Sequence, residues 1–367
     1  MGAPKRARKA VSGPVPEIAD AGWPSWVDSS ASTRLREASR ANRVGHAYLI
    51  SGPKGVGKAA LVRAFAKTLC CPNVSPEDPS EPCGNCRACR NVERDTHPDV
   101  ERFSLESQAV VAEKPGRGAT LTIETVRRLR ASAALHPLES ERRLLIIDDA
   151  ETLLEPAQQA LLKTLEEPPR GVTVVLLADE PEALLETIRS RCQEISLKPI
   201  AQSSVERALL ERGVDAGLAA DIAGLSRGCA GWALEAVVNK PLLTARRQEC
   251  EVAAGWVGSA RYEQLVTAFR LGEQFTKKRS EVIGVVQAAI QLLRHEMIES
   301  ARMASRTEAN EKSDEPAQAG SSAYVLSLSR AVAASLRCLS DLESNVRPRL
   351  ALEAMVMAWP SSELPRN

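Results

Sequence analysis

Gly52-Pro53-Lys54-Gly55-Val56-Gly57-Lys58-Ala59 has the spacing of a phosphate-cradling loop: a glycine, four residues, a glycine and a lysine. Glycines at Gly52, Gly55 and Gly57 let backbone N–H groups, Val56 included, converge on phosphate oxygens, and the helix that follows offers them its positive end. Lys58 is placed to reach the β- and γ-phosphates of ATP. The next position ordinarily carries Ser or Thr, whose hydroxyl holds Mg²⁺. Here it is Ala59, so hydrolysis of ATP at this site is expected to be weakened or lost. A ligand-free glycine turn is the plainer alternative, but the strand before and helix after favour a phosphate loop.

A second group of acids follows the apolar run Leu144–Ile147: Asp148-Asp149-Ala150-Glu151. An Asp at the end of an interior strand beside a phosphate loop supports the metal, and a Glu after it polarises water. Asp149 stands in that second place, with a reach about 1.5 Å shorter than a glutamate's, and misplacement of ~1 Å can lower a rate a hundredfold. Helix capping by either aspartate is the bland alternative.

Cys83, Cys86 and Cys89 form a Cys-x2-Cys-x2-Cys run, and Cys71 lies upstream with eleven residues between it and Cys83. Four thiolates make a closed tetrahedral Zn²⁺ site of the structural kind, with no open position for chemistry. Cys70 competes for the fourth place, although one position after Leu69 it is still on the preceding helix, where packing suits it better. Arg87, Arg90 and Arg94 accompany the cluster without an aromatic, which makes nucleic-acid reading by this module the weaker alternative. Arg191, in Ser190-Arg191-Cys192, is a surface residue on composition alone. It could also project into a neighbouring subunit's ATP site and stabilise charge on the γ-phosphate.

The elements that must position these residues alternate. His46–Ile50, Leu144–Ile147 and Val172–Ala178 read as interior strands, and Leu61, Val62, Phe65, Ala66 and Leu69 fall at helical spacing. Alternation of strand and helix implies an α/β sandwich with a parallel sheet. Beyond Pro199 only helical periodicity remains. Residues 1–30 read as a flexible arm and 305–322 as a long polar loop between helices. Lys and Arg total 48 against 47 Asp and Glu, a net charge of +1, so any nucleic-acid contact must be local or shared with partners. Aromatics are only 3%, too few for a base-stacking platform. No apolar stretch is long enough to span a bilayer, the basic N-terminus lacks the apolar segment of a secretory signal, and the bunched cysteines suit a reducing, cytoplasmic setting.

Taken together, His46-Ala47-Tyr48-Leu49 entering the phosphate loop, the cysteine insertion, His97-Pro98-Asp99-Val100, the stretch from Gln158 through Leu161-Leu162-Lys163-Thr164-Leu165-Glu166-Glu167-Pro168-Pro169, and Ser190-Arg191-Cys192 resemble the bacterial clamp-loader AAA+ subunits of DNA polymerase III. The resemblance covers about residues 30–240. It implies an AAA+ domain at 31–200 with a zinc module at about 70–90, a helical lid at 201–243 and a helical collar at 244–367. It also implies partners: the ATP-hydrolysing gamma/tau motor subunits, the delta subunit, and through them the sliding clamp and primed DNA. Two subunit types carry this signature, the motors and delta-prime. Ala59, Asp149, Ala178-Asp179 in place of a threonine pair, and Gly231 where motors place a nucleotide-sensing arginine all point to the delta-prime type. That type is expected to lend Arg191 to a motor's ATP site while its own site is degenerate, within the DNA-directed DNA polymerase holoenzyme. An ATP-hydrolysing motor subunit and a zinc-dependent DNA-binding module are the alternatives.

Overall fold

In the computed structural model, which describes residues 22–75, 77–111, 120–310, 318–343 and 346–360, five strands form one sheet. They are β1 (Ala47–Ser51), β2 (Val100–Phe103), β3 (Arg143–Ile147), β4 (Val172–Ala178) and β5 (Gln193–Ser196), and the spatial order is β2-β3-β4-β1-β5 with every pair parallel. Parallel neighbours need crossover connections. These are supplied by α2 (Lys58–Cys70) and α3 (Arg87–Glu93) after β1, α4 (Leu105–Val111) and α5 (Ile123–Ala133) after β2, α6 (Glu155–Glu166) after β3 and the short α7 (Glu186–Arg189) after β4; α1 (Ser29–Arg40) precedes the sheet. The α/β class expected from the sequence is the one observed.

β1, β3 and β4 are buried along their whole length, as interior parallel strands must be. Their continuous apolar runs are what made them legible. β2 and β5 are four-residue edge strands carrying Glu101, Arg102, Gln193 and Glu194, so no apolar pattern announces them. Leu49, Phe103, Leu145, Ile147, Leu161 and Leu176 meet in the core between the sheet and its helices. On α2, Leu61, Val62, Phe65 and Ala66 are buried as their spacing predicts.

The chain divides into two compact units, residues 1–238 and 239–367. The first also contains α8 (Gln202–Leu210), α9 (Ala216–Leu225) and α10 (Ala230–Val238). The second is α11 (Lys240–Gly258), α12 (Arg261–Gln274), α13 (Arg279–Asn310), α14 (Gln318–Glu343) and α15 (Pro348–Met357). Within it α13 packs on α11 and α14, and α15 on α12 and α14. Trp256 and Trp359 anchor that core with ring centroids 4.9 Å apart. Their indole N–H groups donate to the Gln264 carbonyl at 2.9 Å and to Ser335 Oγ at 3.0 Å. Helix reaches Asn310 on one side and restarts at Gln318 on the other, so both ends of the polar stretch expected as a loop are helical; residues 311–317 lie outside the described residues. Ala, Glu, Met and Arg are good helix formers, and polarity alone concealed that. Residues 1–21 of the expected N-terminal arm also lie outside the described residues, whereas Trp26 and Val27 are buried.

One polar knot fixes the entrance to β3. Asp99 is fully buried, and its carboxylate accepts backbone N–H bonds from Leu138, Glu139 and Ser140 at 2.7–2.8 Å and the Ser140 hydroxyl at 2.9 Å. Burial pushes its pKa up, but these four donors prevail and hold it below the ordinary value. A depressed folded-state pKa contributes stability that is present above the unfolded value of about 3.9 and is lost as pH falls through the folded one. Asp99→Asn is therefore expected to destabilise the fold by about 1–3 kcal/mol at neutral pH. The gap from wild type should narrow below about pH 4, as read by urea unfolding at pH 7 and pH 2.5.

Candidate functional site

The phosphate loop leaves the C-terminal end of β1, the paired aspartates follow β3 and Asp179 follows β4, so three neighbouring strands deliver them to one edge of the sheet, where open α/β folds place their ligand sites. Gly52, Gly55 and Gly57 all adopt positive φ (143°, 79° and 113°), which is why glycines stand there. Gly57 caps the N-terminus of α2. The loop thus has the backbone shape its sequence predicts.

What surrounds the loop differs from an open nucleotide site. Lys58 is only one-tenth exposed; its ammonium donates to the Gly52 carbonyl at 2.5 Å and forms an ion pair with Asp179. Asp148 is likewise taken. Arg102 of β2 donates to its carboxylate through Nη2 and, at 3.1 Å, through Nε. A guanidinium thus stands against the acid that the sequence pattern marks as a metal support. Asp149 sits at a left-handed position (φ 50°) and makes no side-chain capping bond, so neither aspartate acts as a helix cap. Burial, then the neighbouring Asp148 and Asp179 charges, raise the Asp149 pKa above the ordinary value. Burial also raises that of Glu151, which accepts the Asp179 N–H at 3.2 Å.

The N-terminus of α10 lies directly on the loop. Trp232 N–H donates to the Gly55 carbonyl at 2.9 Å. A Cβ on Gly231 would stand 2.7 Å from the Gly55 oxygen and 3.3 Å from the Gly57 nitrogen, so any side chain at 231 would force the backbones apart. From the other side Trp26 and Val27 close on Gly57, where a Cβ would meet them at 3.0 Å and 2.7 Å. Arg102 and the pairing role of Asp179 escaped the sequence reading. Arg102 aligns with Ile146, two residues ahead of Asp148, a register invisible until β2 is recognised as a strand.

Cys71 follows α2 as its C-terminal cap, Cys83 and Cys86 lie on the loop turned by Gly84 (φ 73°), and Cys89 falls in the first turn of α3. Their four sulfurs all lie within 4.8 Å of one another, with Cys71 Sγ 3.6 Å from Cys83 Sγ and 3.9 Å from Cys86 Sγ. Thiolates 2.3 Å from one tetrahedral zinc are separated by about 3.8 Å, so the donor set and its spacing fit that ion. The N–H groups of Cys83 and Cys89 donate to Cys71 Sγ and Cys86 Sγ, each at 3.4 Å. Burial opposes ionisation of Cys83, but N–H bonds from Asn85 and Cys86 bring its pKa down to about 7. Cys70 stands apart from the four clustered thiols, its own thiol raised by burial to about 12. The long spacer after Cys71 is stapled to the first unit: Asp78 pairs with Arg36 and Arg40, and the Ser80 carbonyl accepts from Thr68 Oγ1 at 3.0 Å and Trp23 Nε1 at 2.7 Å.

Arg191 is half-exposed beyond α7, with Nη2 2.8 Å from Glu166 and Nη1 donating to the Thr187 carbonyl at 2.9 Å. Tyr48 pairs with Gln193 and Ser51 with Ser196, so Arg191 precedes the start of β5 while the phosphate loop follows the end of β1. The two therefore stand at opposite ends of the same ladder.

A family model described as DNA polymerase III, delta subunit, matches residues 27–201. The delta' subunit of Bacillus subtilis (strain 168) is 32% identical over 52% of this chain and 53% of its own length. That of Pseudomonas aeruginosa is 37% identical over 44% of this chain and 46% of its own. The tau/gamma subunit of Haemophilus influenzae is 33% identical over 48% of this chain and 24% of its own. Over about half of its length the chain is similar to clamp-loader subunits of DNA polymerase III. These matches span about half or less of the curated relatives' length. Among solved structures, a DNA polymerase III gamma subunit-related protein from Thermotoga maritima covers 89% of this chain and 96% of its own at 16% identity and a TM-score of 0.37. The α/β class of this chain is carried by its own parallel sheet and phosphate loop. Among the described residues no helix is long and apolar enough to cross a membrane.

The purified chain is expected to carry one zinc ion. Cys71→Ser should lose it and lower the unfolding temperature, whereas Cys70→Ser should keep it, as read by metal analysis of the two variants side by side.

Proposed function

We propose that this chain is a clamp-loader subunit of the delta-prime type: a non-hydrolysing member of the ring that lends Arg191 to the ATP site of an adjacent motor subunit. The observation that carries the reading is the contrast between the two ends of one sheet. At one end the phosphate loop has its lysine and its metal-supporting aspartate tied up by Asp179 and Arg102, and α10 lies on its backbone. At the other, Arg191 stands half-exposed, away from its own chain's loop, so a phosphate that it contacts belongs to another chain. An arginine supplied in trans is worth about 10³–10⁵ in rate in comparable systems.

Assembly into a ring needs apolar surface, and the second unit offers some. Tyr262, Val266 and Phe269 recur along α12 at helical spacing and are exposed, as are Leu350 and Met357 on α15. Through its partners, the gamma/tau motors and the delta subunit, the complex would open the sliding clamp and seat it on primed DNA. Zinc would hold the cysteine module as a structural staple with no part in the reaction. The motor reading retains one support, the similarity to tau/gamma subunits at 33% identity, and it requires turnover by this chain.

In a reconstituted complex, Arg191→Ala is expected to leave assembly intact and to lower clamp-stimulated ATP hydrolysis at least tenfold at the adjoining site. An unchanged rate would sink the trans-acting role. Calorimetric titration of the isolated chain with ATP and Mg²⁺ is expected to give no heat of binding; micromolar binding followed by turnover would return the motor reading.

A further inference from the structure

Arg191 is not idle in the absence of a neighbour, and its resting partner has a feature of its own. Glu166 is the last residue of α6, where the helix dipole disfavours a carboxylate. It makes no other ion pair among the described residues. Pro168 and Pro169 follow after Glu167 alone, so α6 cannot extend and carry the carboxylate elsewhere. The separation between Glu166 and Arg191 is also set by the fold. Buried Gln158 of α6 accepts the Leu185 N–H at 2.8 Å and donates to the Ala183 carbonyl at 3.2 Å, joining α6 to the segment that leads into α7.

The guanidinium fork recognises carboxylate and phosphate with the same planar geometry. Glu166 therefore offers Arg191 what a nucleotide phosphate would offer, with less charge. Both side chains are more than a third exposed, so the pair is weak and water can solvate Glu166 when its partner leaves. A deeply buried carboxylate in this place would hold the arginine too firmly to let it go.

We propose that Glu166 is a positioning residue, a latch that holds Arg191 in cis until a phosphate of the neighbouring subunit's nucleotide displaces it. The proposal rests on the trans-acting role of Arg191, and it adds a competitor: nucleotide engagement next door must first break the Glu166 contact. Removing the latch then strengthens apparent nucleotide binding without altering the chemistry.

The test uses the reconstituted complex and the Arg191-dependent share of ATP turnover, defined as wild type minus Arg191→Ala. Glu166→Gln preserves shape and removes charge. It is expected to lower the KM for ATP of that share about two- to fivefold, with kcat within about twofold and an unchanged unfolding temperature. In an Arg191→Ala background the same substitution should do nothing, as coupling through one partner requires. If Arg191→Ala lowers turnover but Glu166→Gln leaves KM unmoved or raises it, the latch is overturned and the arginine's role stands. If Arg191→Ala itself has no effect, the trans-acting role fails and the latch fails with it.

Discussion

The contact on which the first unit turns is the approach of Gly231 and Trp232 to the backbone of Gly55. A phosphate loop is a ring of N–H donors whose natural partner is an anion. Here α10 comes close enough that a single Cβ at 231 would collide with the loop carbonyl, so glycine is a steric requirement. With the helix seated there, charges that a nucleotide and its metal would balance need other partners. Asp179 answers Lys58 and Arg102 answers Asp148, and the two pairs leave the lysine and the aspartate compensated from within. Breaking either would strand a half-buried charge, which is why such pairs persist even where their net contribution to stability is small.

The cysteine module follows a similar logic of substitution. Its spacer is long for a zinc turn, and chain length between ligands carries an entropic cost that grows with the loop. The spacer answers by tying itself down, through Asp78 to Arg36 and Arg40 on α1 and through the Ser80 carbonyl to Thr68 on α2 and to Trp23. Ser140, which belongs to the loop that Asp99 pins ahead of β3, donates its hydroxyl to Asp99 and to the Arg142 carbonyl.

Sequence alone disclosed those parts of the molecule whose chemistry is local. Glycines with positive φ, thiols at Cys-x2-Cys spacing and unbroken apolar strands each declare themselves within a few residues, and β1, β3, β4, α2 and the four-cysteine cluster all follow. The parts that escaped depend on neighbours distant in the chain. β2 and β5 are short edges with polar side chains. Arg102 meaningfully faces Asp148 only once β2 has been set beside β3, and Lys58 meets Asp179 across 121 positions of sequence. Ala59 carried the expectation of weakened hydrolysis, but the helix N-terminus that lies on the loop had no local signature. Nor did the helical ends of the polar stretch near 310, where composition suggested a loop and helix propensity prevailed.

On the delta-prime reading, a chain with its own phosphate loop internally neutralised and an arginine presented at the far end of the same sheet responds to nucleotide through a neighbour. On the proposed reading, the response is an exchange of partners by one guanidinium. Its free energy is then the difference between two fork-shaped contacts, one with a half-exposed carboxylate and one with a phosphate. A ligand shifts such an equilibrium only by its differential affinity for the two arrangements. The weakness of the Arg191–Glu166 pair is therefore what makes the exchange responsive: a firmer latch would mute the neighbour's nucleotide. A guanidinium with no resting partner would gain nothing from the fixed geometry that Gln158 and the two prolines impose.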